Sequence, residues 1–372
     1  MASATRRRSG PGINNQRLAG WAFVTPTVVV LGVFLFIPVV MALWVSMSDW
    51  SGRLSPFGST VNFVGGQNYA DVLGGKGLPG RDFGTAMRNN VFYVLLVVPL
   101  QTVLSLFLAV MVTRKAIRGK SFFRTAFYFP SVTSSVAITV LWLFLFNISG
   151  VVNKVLSWLS IEGPNWFADP RGVLHIILGA VGVQPSPAWQ QPILFGISGW
   201  DWVAGPSVAM SAFILMAVFT TSGTFMLLFI AALQNIGDET NEAAMVDGAT
   251  AWQRFWHITL PMLKPTLFTV ITLGLIGTWQ VFDQIYTGTQ GGPAKTTMTP
   301  AYLSYTSAFQ DQAWGRGAAI AFILFAIVVI MTVLQRLILG DADYTKPTRA
   351  QRRADRAAAI AAERQVKKEG VV

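Results

Sequence analysis

The sequence predicts an all-α membrane protein with six transmembrane helices. Three observations predict it. The chain of 372 residues is 52% hydrophobic and only 12% charged, about half the charge of a water-soluble domain, roughly 25%. Its mean hydropathy is +0.50. The apolar residues are gathered into six charge-free blocks, and a bilayer core needs roughly 20 apolar residues to be crossed by a helix. Only a helix satisfies its own backbone polar groups there without a partner strand.

Residues 1–18 are a basic leader with Arg6, Arg7 and Arg8, expected to be disordered. The first block, Leu18 to Ser48, is 31 residues long. That is about twice the apolar core of a cleaved signal, and no Ala-x-Ala site follows it, so it is expected to be retained. Residues 49–88 are a glycine-rich outside loop containing GGKGLPG. The second block, Asn89 to Thr113, and the third, Thr125 to Asn153, span comfortably. Between helices 3 and 4 lies a long extracytoplasmic loop, 154–201, rich in Pro and Trp. Its middle, GVLHIILGAVGV (172–183), is apolar but too short to cross. Three roles stand open for it: lying at the membrane interface, packing on a partner, or forming a self-packed cap. The fourth block runs from Trp202 to Gly237. The fifth, Pro265 to Phe282, and the sixth, Gly317 to Gln335, are only just long enough. The six-helix domain is thus 19–340, followed by a basic tail, 341–372. The tail's Ala/Arg-rich composition favours helix, either touching anionic lipid or simply solvated.

Charge sets the orientation. The N-terminus, the 114–124 loop, Arg254, Lys264 and the tail from Arg336 carry 20 of the 28 Lys and Arg residues; the opposite side carries 8. The positive-inside rule puts the first group, and both termini, in the cytoplasm. The net charge of +11 therefore belongs to membrane topology rather than to nucleic-acid binding. With no cysteine in the chain, disulfides, thiolate zinc sites and a cysteine nucleophile are excluded. His175 and His257 are too far apart in sequence to suggest a metal site.

The segment between blocks four and five is far longer than a connection requires. Asp238, Thr240 and Asn241 are N-cap residue types, and Glu239 and Glu242 suit a first turn. A short helix over Glu242–Val246 should end at Gly248. A second piece follows, in which Trp252, Phe255, Trp256 and Leu260 recur at helical spacing, with Pro261 and Pro265 expected to stop it. Two short helices with projecting carboxylates suit docking into a groove on a cytoplasmic partner.

Glu242, Ala243, Ala244, Asp247, Gly248, Ala249, Ile258, Leu260 and Pro261 resemble the EAA loop of ABC importer permeases: EAA, three residues, G, nine residues, I, one residue, LP. The variant EAAxxDGA with ITLP is similar to the carbohydrate-importer branch. Residues 23–50 resemble the first helix of the maltose, lactose and glycerol-3-phosphate type of permease. NFVGGQNYADVL (62–73) is similar to its FxGxxNY segment, and residues 282–309 resemble its TxGGP region. The likeness covers about 20–340 and departs at the long 154–201 loop. It implies the type I ABC importer permease fold in a bacterial cytoplasmic membrane, a second permease subunit, a dimer of ATP-binding subunits and an extracytoplasmic sugar-binding protein. It also implies that the loop at 238–261 is a coupling helix, with Glu242, Ala243, Ala244, Asp247, Gly248 and Ala249 docking on the ATPase. No cofactor is expected in this chain; ATP and Mg belong to the partners. RGKS (118–121) has the ending of a phosphate loop, but Arg114 stands where its first glycine is needed.

A sugar needs an aromatic face and hydroxyl partners. In the outer half of the fifth span, Trp279, Gln280 and Asp283 supply both; the alternative is an interfacial tryptophan with Asp283 in water. In the fourth span, Ser211, Thr220, Thr221, Ser222 and Thr224 either line a path or bond back to their own helix. Asn147 is a further candidate. Glycerol-3-phosphate or a polyol derivative is an alternative cargo. A membrane glycosyltransferase would want paired carboxylates or a metal motif; no span holds such a pair. A secondary transporter would be expected to show duplicated halves and charges within spans, and neither is apparent.

Overall fold

A computed structural model describes residues 13–75, 77–114 and 117–339. The expected leader and the basic tail lie outside the described residues, apart from the start of helix α1. In chain order the elements are α1 (Ile13–Leu31), a π turn (Gly32–Phe36), α2 (Ile37–Ser46), α3 (Gln67–Leu73), α4 (Gly77–Thr113), α5 (Lys120–Val132), α6 (Ser135–Leu145), α7 (Val151–Trp158) and α8 (Val173–Ala180). A small hairpin follows, β1 (Pro192–Leu194) with β2 (Ile197–Ser198). Then come α9 (Gly199–Val203), α10 (Val208–Gln234), α11 (Asp238–Val246), α12 (Ala251–Arg254), a π turn (Phe255–Thr259) and α13 (Leu260–Met262). The chain ends with α14 (Lys264–Trp279), α15 (Asp283–Gly288), α16 (Pro300–Tyr305), a π turn (Thr306–Gln310) and α17 (Trp314–Leu339).

Among the described residues, five helical stretches are long and apolar enough to cross a membrane: Gly20–Ser46, Gly77–Thr113, Val208–Gln234, Lys264–Gly288 and Trp314–Ile338. The α5–α6 pair makes a sixth if it is counted as one span, but its two halves meet at 99°. The third block is therefore not the continuous helix expected over 125–153. Pro130 has no N–H to donate, Thr133 turns extended, and the Thr133 hydroxyl donates to the Phe129 carbonyl at 3.0 Å. The second span also differs from expectation. Gly77, placed in a loop, starts a helix of 37 residues, about 55 Å at 1.5 Å per residue, which overshoots a bilayer core of about 30 Å.

The chain forms two compact units. In the first (residues 1–87, 184–203 and 298–325), the segment NFVGGQNY folds back over the end of α2. Phe63 stacks on Trp44 with centroids 5.6 Å apart. Gly65 adopts φ +59, a conformation that costs glycine little. The Asn68 amide donates to the Ser46 and Ser48 carbonyls, both at 2.9 Å, and the Tyr69 hydroxyl meets Ser46 Oγ at 2.7 Å. A helix end leaves carbonyls without helical donors, and this motif serves them with side chains. Gly315, at the start of α17, closes the cap: a Cβ there would run into the Ser48 carbonyl and the Asn68 amide.

In the second unit (88–183, 204–297 and 326–372), Ala109 and Val112 of α4, Phe225, Met226, Phe229 and Ile230 of α10, and Val270 of α14 form an apolar core with Ile236 and Leu263. Part of the long loop packs here. Asn153 is buried and donates to the Ile148 and Pro164 carbonyls, while the Trp166 indole donates to its Oδ1 at 2.7 Å. Phe167 packs edge-on against Phe213 of α10, and Asp169 pairs with Arg171 at 2.6 Å. That guanidinium holds the Asp169 carboxyl below its ordinary range. Helix α8, in the apolar middle of the loop, leaves Leu174, Ile176 and Ile177 exposed.

Replacing Asn68 by Ala strips two carbonyls of their donor. Unfolding of the detergent-solubilised protein should be easier by about 1–3 kcal/mol, measured as a lower thermal midpoint, whereas Gln67→Ala, an exposed neighbour, should leave the midpoint unchanged.

Candidate functional site

The loop between α10 and α14 is built from local rules. Helix α11 starts after Gly237, which takes the N-cap position with no side-chain bond. Asp238, Thr240 and Asn241 thus lie inside the first turn rather than capping it. At the other end Ala249 N–H donates to the Ala244 carbonyl at 2.9 Å and Gly248 N–H to that of Met245 at 3.0 Å. With Gly248 at φ +78, this is a Schellman stop. Thr250 immediately opens α12 with a capping box: its hydroxyl accepts from Gln253 N–H, and the Gln253 side chain accepts from Thr250 N–H at 2.8 Å. Pro261 does not stop the second piece. It sits inside α13, where Leu260 N–H reaches back five residues to Phe255 in a π turn, which accommodates a residue with no N–H to donate. Pro38 follows the same pattern after the π turn at Gly32–Phe36. The chain turns at Leu263, and Pro265 opens α14.

The outcome is an elbow. Glu242, Ala243, Asp247 and Gly248 are exposed, Ala249 is half-buried, and Ala244 turns inward. Met245, Val246, Trp252 and Trp256 are exposed apolar groups, Val246 at 89%. Asp247, Gly248, Ala249, Gln253, Arg254, His257 and Ile258 line a depression of about 360 Å³ in the crook. His257 Nδ1 lies 3.0 Å from the Gln253 carbonyl, so that nitrogen carries the proton. Both roots of the elbow, Ile236 and Leu263, are buried in the core of the second unit.

A second feature of that unit is a cavity of about 280 Å³ at the α5–α6 break. Small-molecule sites run from about 300 Å³ upward, so this one is at the lower edge. Its polar lining is Ser131, Thr133 and Ser135 at the break, Thr220, Thr221 and Thr224 of α10, and Gln284 of α15. Ser131 Oγ and Ser135 Oγ are buried without a hydrogen-bond partner. Close packing at the edge depends on Gly223, where a Cβ would collide with the Phe127 carbonyl.

The two alternatives for the α10 hydroxyls both occur. Ser211, Thr220, Thr221 and Ser222 bond back to carbonyls of their own helix, and Thr220, Thr221 and Thr224 also face the cavity. The fifth-span trio divides. Trp279 is buried at the end of α14, its carbonyl accepting from Asn90 at 3.4 Å. Gln280 and Asp283 are exposed at the break before α15. None of the three lines the cavity; their neighbour Gln284 does. Asn147 caps its own turn, accepting from Ser149 N–H. Sequence reasoning passed over Ser131, Ser135 and Gln101. The last is the one glutamine of the second block, and a polar residue in an apolar span is itself a signal.

The chain matches a family model described as "Binding-protein-dependent transport system inner membrane component" over residues 101–340. It is 31% identical to the lactose transport system permease protein LacF of Rhizobium radiobacter, over 85% of this chain and 92% of that one. It is 28% identical to the arabinooligosaccharides transport system permease protein AraP of Halalkalibacterium halodurans, over 88% and 89%. Its fold resembles a chain of a bacterial ABC transporter that imports the acidic polysaccharide alginate, with a TM-score of 0.66, 19% identity and coverage of 87% and 96%.

The Schellman stop gives a direct test. Gly248→Val forces a branched side chain into a left-handed conformation, at a cost of roughly 1–2 kcal/mol. The Gly248 and Ala249 amides should then exchange with solvent about five- to thirtyfold faster, while the thermal midpoint of the whole protein stays put.

Proposed function

As a member of the binding-protein-dependent transport system inner membrane component family, the chain is a membrane transport subunit, and we propose that it forms half of a sugar translocation path driven by partner ATPases. The elbow at 238–261 is the observation that carries this reading. An exposed apolar tip flanked by Glu242 and Asp247 is shaped to enter a groove on a soluble partner. In water such a tip would be unfavourable, and burial in a partner removes it from solvent.

The same geometry supports power transmission. The stroke begins when two ATP-binding subunits close and carry the elbow with them. Because Ile236 and Leu263 are packed among Phe229, Met226 and Val270, α10 and α14 move with the elbow rather than hinging away from it. A close-packed core passes on a displacement because it cannot absorb it. The α5–α6 break and α10 then shift around the hydroxyl-lined cavity, opening it to one side of the membrane or the other.

The substrate class follows from the cavity. Serine, threonine and glutamine groups with an apolar floor of Ile138, Met216 and Phe225 match a ligand carrying both hydroxyls and C–H faces. Neutral hydroxyls offer no countercharge to a phosphate, which favours a sugar over glycerol-3-phosphate. Two relatives' named cargoes, lactose and arabinooligosaccharides, point the same way, while a third relative, 28% identical, is named for sn-glycerol-3-phosphate, so the preference rests on the cavity lining. A second permease completes the path, an extracytoplasmic binding protein delivers the sugar, and ATP with Mg is held by the ATPase dimer. Of the expected sugar contacts Trp279, Gln280 and Asp283, the exposed pair Gln280 and Asp283 precede Gln284 of the cavity lining and are the ones proposed to meet the sugar. Both termini, and the elbow, face the cytoplasm, as the positive-inside asymmetry requires.

Glu242→Lys, or Gly248→Asp, should abolish sugar uptake by cells while the protein still inserts at normal abundance. Uptake equal to wild type in either variant would refute the coupling role.

A further inference from the structure

Gln101 belongs to neither the elbow nor the cavity lining, yet it is fully buried near the middle of α4, within the second unit. Its surroundings single it out. The Thr221 hydroxyl of α10 donates to Gln101 Oε1 at 2.6 Å and lies 2.7 Å from its own helix's Ala217 carbonyl. Gln101 Nε2 has no partner. That nitrogen faces Gly274 of α14, where an added Cβ would collide with it. One amide is thus enclosed by α10 on one side and by a bare stretch of α14 backbone on the other.

An unpartnered amide nitrogen in an apolar span is costly, and the chain retains one here. The chemistry of the pair gives a reason. Thr221 faces the cavity, and a hydroxyl has one hydrogen and two lone pairs. That hydrogen can serve Gln101 Oε1 or the Ala217 carbonyl but not both, and either way Thr221 presents only acceptor capacity to whatever the cavity holds. A half-turn of the amide exchanges its oxygen for its nitrogen. The nitrogen then donates to Thr221, whose hydrogen turns to Ala217. In either orientation the amide holds Thr221 from the α4 side, and Gly274, with no side chain, leaves the place that the amide occupies.

We propose that Gln101 is a positioning residue for the transport cavity, acting from α4 through Thr221 to fix the hydroxyl offered to a passing sugar, with Gly274 as the gap that admits the amide. This rests on the reading of the cavity as part of the sugar path.

The test uses the whole transporter — permease pair, ATPase dimer and binding protein — in proteoliposomes, with uptake rate and ATPase rate read together. Gln101→Met fills the same space without the hydrogen bond. It should lower the sugar uptake rate about three- to tenfold, the range of one hydrogen bond between helices in a membrane, while ATPase activity without sugar is unchanged. Thr221→Val should slow uptake to the same extent, and the double variant should be no worse than either single one, because both remove one interaction. Gly274→Ala touches no cavity residue and should reproduce the loss by displacing the amide. Combining Gln101→Met with Thr224→Val should instead multiply the two losses. Multiplied losses in the Gln101/Thr221 pair, or normal uptake with Gly274→Ala, would overturn the proposal. If Thr220→Val and Thr224→Val slow uptake but Gln101→Met does not, the positioning claim fails and the path stands. If none of the cavity variants changes uptake, the path reading fails first.

Discussion

Water is absent from the interior of a bilayer, and that absence governs this chain. Each backbone N–H and C=O in a span must find a partner inside the protein. Helices meet the demand wherever the sequence is regular, so the features worth attention are the breaks. At the end of α2, Asn68 takes two carbonyls. At the α5–α6 bend, Thr133 takes one. In α14 the Phe268 carbonyl receives both Thr272 and the Gln335 amide of α17. Where Pro38 and Pro261 cannot donate, the helix widens by one residue into a π turn. In these places the lost partner is replaced by a polar side chain or a local change of helix pitch.

The breaks are also where function gathers. A straight α5–α6 helix would present no cluster of hydroxyls; the 99° bend exposes Ser131, Thr133 and Ser135 to one cavity. An unbroken connection between α10 and α14 would offer nothing to grip. The Schellman stop and capping box around Gly248 and Thr250 fold it into a rigid elbow using bonds entirely within residues 243–253. The elbow's shape comes from its own sequence, and its two roots are anchored in the core of the second unit.

Much of this was legible beforehand. Six charge-free blocks gave the helical membrane fold, because a long apolar run in water has no other use. The elbow was legible in part: Gly248 marks the stop of its first helix, whereas the expected caps Asp238, Thr240 and Asn241 lie inside α11 and the capping box of Thr250 and Gln253 went unread. What escaped were matters of register and bending. A window free of charge says nothing about whether the helix inside it is straight, so the third block reads as one span. Gly77 gave no sign that a 37-residue helix begins there, since GGKGLPG has the composition of a loop. Pro261 was expected to end a helix, but a π turn tolerates it. Ser131 and Ser135 acquire meaning only from neighbours distant in sequence, and Gln101, though marked as a polar residue in an apolar span, gains its partner Thr221 only from the fold.

The proposed coupling carries energy into the chain through the elbow. The chain contains no cysteine, so a single Val246→Cys substitution at the elbow's exposed tip provides a clean reporter. The decisive measurement is the rate at which a membrane-impermeant maleimide labels that position in inside-out vesicles, with and without the ATP-binding subunits. Strong protection when those subunits are bound, altered further by ATP, is the expected result. Labelling at the same rate in both preparations would contradict the account.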